Sequence, residues 1–342
     1  MCMRHRGREK WIAGAGIFAL AVVFFLVWRF GFLPDVVSPA PIVEEIARYR
    51  HPLTGMPLQM PTDLPFVYGV MIDQSVEAWP QSGVDKAFLV IEAPVEAGIP
   101  RWEAFFYDGQ EAVAKIGPVR SARPYFIDWN NELDGLYAHV GGSDAALKRI
   151  ASDGTYDLNQ FWNEVFFWRS KERQAPHNVY TSTELLKKAL TRAEETKRVQ
   201  RPVYGVWTFK KDTPSGQSFG SAIRYASDTY AVQWTYRAGT NSYERTKPSG
   251  SLLELRANNV VVIETSVQIL DEVGRREVKT VGDGKAMVLQ DGRVISVTWK
   301  KPSVTERLQF FTEAGDEITM NAGVTWIEVV ESLDNQMSVL TQ

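Results

Sequence analysis

Gly135-Leu-Tyr-Ala-His-Val-Gly-Gly-Ser143 reads as a short strand, a glycine turn and the cap of a helix, and this run decides the fold class of the first half of the chain. An open α/β sheet places such junctions at the carboxyl ends of its strands, where it gathers ligands. Working outward, Ala122 to Leu133 and Ser143 to Ala151 carry apolar residues at helical spacing, and Ser182 to Arg192 opens on a capping position with an acidic first turn. Val67 to Ile72, Ala87 to Glu92 and Arg101 to Tyr107 read as strands bounded by Asp, Gly or Pro. The mixture predicts an α/β domain over residues 51–205.

The polar, turn-rich stretch Lys210-Lys-Asp-Thr-Pro-Ser-Gly-Gln-Ser-Phe-Gly220 marks a boundary. Beyond it the pattern is strand after strand: Ala222 to Tyr225, Ala231 to Tyr236, Asn259 to Glu264, Arg276 to Val281, Lys285 to Leu289, Arg293 to Trp299, Arg307 to Phe311 and Thr325 to Val330. Gln290-Asp-Gly-Arg293 and Glu313-Ala-Gly-Asp316 are hairpin turns. Residues 221–332 are therefore expected to form a mainly antiparallel β domain, a support or interaction surface with its polar groups mostly in turns. The fold class is α+β: a mixed α/β first domain, then a β-rich second one.

Before these domains, Arg4, Arg6, Arg8 and Lys10 precede an apolar run from Trp11 to Leu33 interrupted by Arg29. A helix of that length spans roughly 34 Å, enough for a bilayer core of about 30 Å. Basic charge ahead of the span predicts a cytoplasmic N-terminus, an anchor in the cytoplasmic membrane and an extracytoplasmic bulk. A cleaved signal peptide is the alternative; the run is long for one, and Pro39 and Pro41 spoil nearby cleavage sites. Residues 34–50 read as a spacer, weakly helical from Ile42 to Arg50.

Past residue 33 the chain has 33 basic and 40 acidic residues, a net charge of minus seven, which disfavours a nucleic-acid partner. The single cysteine, Cys2, lies before the apolar run, so the outer part has neither a disulfide nor a thiol nucleophile. No cofactor motif is present, and with no HxxxH, HxH or cysteine pair no metal site is expected.

Site-like chemistry concentrates in three segments: Ile116-Gly-Pro-Val-Arg-Ser-Ala-Arg-Pro-Tyr-Phe126, His139-Val-Gly-Gly-Ser143 and Ala175-Pro-His-Asn-Val-Tyr180. If Ser121 caps a helix starting near Ala122, Arg120 and Arg123 place two guanidinium forks beside a helix N-terminus, an arrangement suited to carboxylate or phosphate. The plainer reading pairs each arginine with a structural carboxylate such as Asp128 or Glu132. Candidate ligand-binding residues are Arg120, Ser121, Arg123, His139, Ser143, His177 and Asn178, with Arg101 as a further member. His139, His177 and Ser143 are the candidates for a catalytic role. Each has its plain alternative: a hydrogen-bonded core histidine, a loop histidine and a helix cap. Glu92 and Glu96 are better partners for the arginines than a glycosidase pair, since four residues along a strand separate them by about 13 Å.

These segments, with His51-Pro-Leu-Thr-Gly-Met-Pro57, Pro80-Gln-Ser-Gly83, Glu96-Ala-Gly-Ile-Pro-Arg101, Gly284-Lys-Ala-Met-Val-Leu-Gln-Asp-Gly-Arg293 and Thr298-Trp-Lys-Lys301, resemble the YerB-like family over roughly residues 51 to 330. That family comprises envelope-facing proteins or lipoproteins of mostly Gram-positive bacteria, with two domains of unknown function. The chain departs from the family pattern at Gln74, Trp79 and Ser170, where asparagine, arginine and aspartate are usual. It also lacks the lipid-bearing cysteine after the apolar run. The resemblance implies location and architecture, and no activity.

Two functional expectations follow. The first is a tethered module that binds an anionic cell-envelope component or an envelope partner through an Arg/His/Ser cleft on which Arg120, Arg123, His139, Ser143, His177 and Asn178 converge. Arg120 should then be exposed and free of structural partners. The alternative is an envelope-polymer hydrolase or lyase with His139 and His177 as acid and base, which requires both imidazoles and Arg120 to line one accessible pocket.

Overall fold

In Val67-Tyr-Gly-Val-Met-Ile72 every residue is buried, and the two faces part cleanly. Tyr68, Val70 and Ile72 join one apolar cluster while Val67 and Met71 join another. A strand covered on both faces lies in a central layer. The computed structural model describes residues 49–341 apart from 197–200, 225–226 and 248–252, together with Phe25. Apart from Phe25, the expected anchor over residues 11–33 lies outside the described residues, as does most of the spacer. Tyr49–Arg50, expected at the end of a weak helix, is instead a strand paired with Pro57–Leu58.

The first half supplies β1 (Val67–Ile72), β2 (Leu89–Pro94), β3 (Pro100–Tyr107), β4 (Leu136–His139) and β5 (Tyr156–Asn159). Then come β6 (Phe219–Ile223), β7 (Val232–Arg237), β8 (Ser242–Thr246) and β9 (Leu255–Ala257). Further along are β10 (Asn259–Glu264), β11 (Gly282–Gln290), β12 (Arg293–Lys301), β13 (Gln309–Phe311), β14 (Thr325–Val330) and β15 (Met337–Thr341). Ten of them form one sheet in the order β13-β12-β11-β10-β14-β2-β3-β1-β4-β5, and β9-β8-β7-β6-β15 form a second.

The large sheet passes through both halves of the sequence, and residues 47–342 form one compact unit. The seam is β14, which pairs in parallel with β2 on one side and with β10 on the other. Thus the second half is mainly antiparallel, as its hairpins predict, but its last long strand is not. The hairpin joining β11 to β12 turns at Asp291 and Gly292, both with positive φ, in register Gln290 to Arg293, as an Asp-Gly turn should.

One face of the ten-stranded sheet is covered by the smaller sheet, through Trp234, Tyr236 and Tyr243, and by α3 (Thr183–Glu195), through Leu186 and Leu190. The other is covered by α1 (Pro124–Asn131), through Tyr125, Phe126 and Trp129, and by α2 (Asp144–Asp153), through Ala146 and Ile150. α1 is shorter than the apolar spacing predicts because it begins at Pro124, whose fixed φ suits a first helical position.

Charged side chains also knit the halves. Arg245 on β8 is buried among Trp102, Trp234 and Trp326, its guanidinium 5.2, 6.0 and 5.0 Å from the ring centroids. It donates to Glu92 at 2.6 Å and lies 3.9 Å from Glu328. Glu132, just after α1, receives Lys301 at 2.8 Å, Arg307 and the Leu308 backbone N–H. Asp128 is held by Arg149 and Thr280. Neither Asp128 nor Glu132 is therefore a partner for Arg120 or Arg123. Arg245 on β8, Lys301 on β12 and Glu328 on β14 are polar groups of the second half that are buried on strands rather than placed in turns.

Removing one member of a buried ion pair leaves the other uncompensated, at a cost of roughly 3–5 kcal/mol. Arg245→Ala is expected to lower the urea midpoint by a corresponding amount. The wild-type folded part should unfold in a single transition with equal calorimetric and van't Hoff enthalpies, because one sheet spans both halves. Two separable transitions would contradict that continuity.

Candidate functional site

β1, β4 and β5 run parallel, so their carboxyl ends lie side by side and bring together Asp73, the turn after His139, and Gln160. Across these ends runs the arginine segment. Asp73 N donates to Pro118 O, Arg120 N to Met71 O, Val140 N to Arg120 O and Ala122 N to Gly141 O. The loop carrying His177 joins the same edge, since Val119 N donates to Val179 O. All the cis peptide bonds among the described residues, Trp79-Pro80, Gly117-Pro118 and Ala175-Pro176, lie in the loops that meet here.

At the centre is Asp73, a buried carboxylate. Its Oδ2 accepts from His177 Nδ1 at 2.7 Å and lies 3.2 Å from Arg120 Nε, while Oδ1 accepts from Ser75 N at 2.9 Å and Ser75 Oγ at 2.6 Å. Burial works against its charged form, but the Ser75 hydrogen bonds, Arg120 and His177 outweigh it and hold the carboxyl below its ordinary value. Arg120 thus has a structural partner, contrary to the expectation of a free arginine. The sequence shows Asp73 only as an acid at a strand end.

Arg101 is the other unusual group. It is 7 % exposed, and its one hydrogen bond runs from Nη1 to Ser121 O at 3.0 Å. No carboxylate among the described residues lies within ion-pair distance of it. Burial, then the neighbouring Arg123, push its guanidinium down to about 10, against the pull of Asp73, Glu96 and Tyr125.

The remaining sequence candidates have other occupations. Arg123 is held by Glu96, Nε to Oε1 at 2.6 Å and Nη2 to Oε2 at 2.8 Å, so its fork is filled. Ser121 does not cap α1; the cap position is Arg123 and no side chain caps it. Ser143 caps α2 through a bond from Ala146 N at 3.3 Å, and neither serine hydroxyl is hydrogen-bonded to a histidine. His139 is fully buried, with Nδ1 2.7 Å from Gly141 O and Nε2 2.7 Å from Asp157 Oδ1. Both partners are acceptors, so neither nitrogen is available to a substrate. His139 and His177 do not share an accessible pocket, and the acid–base pair of the hydrolase reading is not assembled. Asn178 accepts from Arg169 Nη1 at 2.9 Å, and Arg169 Nη2 donates to Gln160 Oε1 at 3.3 Å.

Beside Asp73 the structure adds Lys247, from the second half. Its Nζ lies 3.5 Å from the Trp79 ring centroid and 3.4 Å from Gln74 Oε1, which also accepts from Trp79 Nε1 at 2.9 Å and Gln81 Nε2 at 3.1 Å. Burial, reinforced by Arg245 and opposed by Glu92 and Glu328, pushes the Lys247 ammonium down to about 7. Nothing in its local sequence marks it.

The N-terminal domain of a family described as protein of unknown function (DUF3048) matches residues 53–197, and the family's C-terminal domain matches residues 221–327. “Putative lipoprotein YerB” of Bacillus subtilis (strain 168) is 29 % identical over 338 residues, covering 95 % of this chain and 97 % of the relative. The chain belongs to this YerB-like two-domain family. The crystal structure of the YerB protein from Bacillus subtilis superposes with a TM-score of 0.76 at 28 % identity, covering 86 % of this chain and all of that one. The seam at β14 therefore joins the family's two domains within one sheet.

Two outcomes test this geometry. Because its folded pKa is depressed, Asp73 contributes stability above the ordinary carboxylate range near ~3.9 and loses it as pH falls through the lower folded value. Asp73→Asn should cost about 3 kcal/mol near neutral pH, a difference that shrinks towards zero in urea titrations well below pH ~4. Lys247 binds fewer protons folded than unfolded between about 7 and ~10.5, so its contribution to stability rises with pH across that window. A limiting acylating reagent near neutral pH should label Lys247 ahead of the surface lysines, read by peptide mapping.

Proposed function

We propose that this protein is a membrane-anchored, extracytoplasmic binding module. It holds a carboxylate- or phosphate-bearing component of the cell envelope against Arg101, Arg120 and His177. The location is supported by the basic flank and apolar run at the start of the sequence, and by a relative that carries a lipoprotein name over nearly its whole length. The smaller sheet and the second half serve as the support that fixes the site from behind.

Arg101 carries the reading. A buried guanidinium is normally paired, because desolvating a charge is costly without a counter-ion. Here a single backbone carbonyl is the partner, and the nearby Asp73 is already engaged by Ser75, His177 and Arg120. An arriving anion supplies the missing countercharge. It would meet Arg120 as well, whose Nε lies 3.2 Å from Asp73 Oδ2 without completing a hydrogen bond.

The test is Arg101→Met in the full-length protein held in detergent, titrated with purified anionic wall polymer. A binding arginine without a carboxylate partner should be replaceable at no loss of melting temperature, with affinity falling roughly tenfold or more. Loss of melting temperature with unchanged affinity would assign Arg101 to the fold and remove the reading.

A further inference from the structure

The loop after β5 presents two aromatic rings to solvent: Phe161 is 60 % exposed and Trp162 81 % exposed. An indole left in water forfeits a large burial gain, so an outward-facing tryptophan on a well-held loop marks a contact surface. This loop is well held. Trp162 N donates to Asn159 O at 3.1 Å, Phe161 N to Asn159 Oδ1 at 3.2 Å and Asn163 Nδ2 to Asn159 O at 3.0 Å. Phe166, five residues on from Phe161, is buried in the core.

The loop is also joined to the site. Gly141, with φ +58, lies under the Phe161 ring, where a side chain's Cβ would come within 2.8 Å of Cε2. Asn159 Oδ1 accepts from the backbone of both Gly141, at 3.1 Å, and Phe161. Next in sequence to Phe161 is Gln160, the first of a row of planar polar groups, Gln160, Arg169 and Asn178, bonded in series, and next in sequence to Asn178 is His177 on Asp73. Asp73 and Gln160 follow strands two places apart, a separation of about 10 Å.

We infer that Phe161 and Trp162 form a stacking platform for a sugar ring of an acidic polysaccharide whose negative group sits at Arg101, Arg120 and His177. The inference rests on the anion-site reading above and names its ligand class. The argument is complementarity along one edge. Flat aromatic faces match the C–H faces of a pyranose, amide and guanidinium planes match its hydroxyls, and the cations match a carboxylate. A protein-docking hot spot would instead be ringed by contacts that exclude water, whereas in sequence these rings are flanked by Gln160, Asn163 and Glu164, with Val165 a further exposed apolar side chain of the loop.

The experiment uses full-length protein in detergent with polygalacturonate, the same polymer with its carboxylates reduced, and inorganic phosphate. Trp162→Ala, at an exposed position, should fold normally. It should bind polygalacturonate roughly tenfold more weakly while phosphate affinity is unchanged. The reduced polymer should bind wild type more weakly than the acidic one and lose further affinity in Trp162→Ala. Unchanged polygalacturonate affinity in Trp162→Ala, with phosphate still bound in an Arg101-dependent way, would overturn the platform and leave the anion site standing. Absence of both phosphate and polygalacturonate binding to wild type would overturn both. Loss in Trp162→Ala of association with anionic vesicles or a protein partner, with polysaccharide affinity intact, would overturn the sugar assignment.

Discussion

Arg245 in its cage of three tryptophans is the contact on which the architecture turns. It comes from the smaller sheet, its rings from β3, β7 and β14, and its carboxylates from β2 and β14, so every layer near the seam has a stake in one cation. Desolvating that charge is offset by Glu92 and by the ring faces, which attract a guanidinium most strongly where water is excluded. The arrangement also fixes register: a slip of β14 by one residue would carry Trp326 and Glu328 to the opposite face.

Much of this fold is legible in the sequence. Val67–Ile72, Asn259–Glu264 and Thr325–Val330 are strands with the bounds their apolar runs give, and Ser143 and Ser182 cap their helices. What is not legible is which strands share a sheet. A run such as Thr325–Val330, buried on both faces, says that it is central and not beside what, and here its partners come from opposite halves of the sequence. Short β5 and β9 carry too few residues to declare a period.

The site divides in the same way. Local chemistry singles out Arg120 and His177, and the structure sets both on one carboxylate. The sequence offers Glu96 as a partner for the arginines, and Arg123 takes it, but it cannot reveal that His139 spends both nitrogens within its own sheet edge, since those partners are fixed by topology. Lys247 and Arg169 are silent for the same reason: an ordinary lysine acquires a shifted titration only after tertiary packing strips its water.

The position of β14 has a consequence for biogenesis. It is the central rung of the large sheet, yet it is made more than two hundred residues after β2, so β2 emerges with one edge unpaired and stays so while most of the second half is synthesised. An open, apolar strand edge is a template for pairing with other chains. The first half can therefore collapse but not close until β14 arrives, and quality control would meet this protein as a half-built sheet.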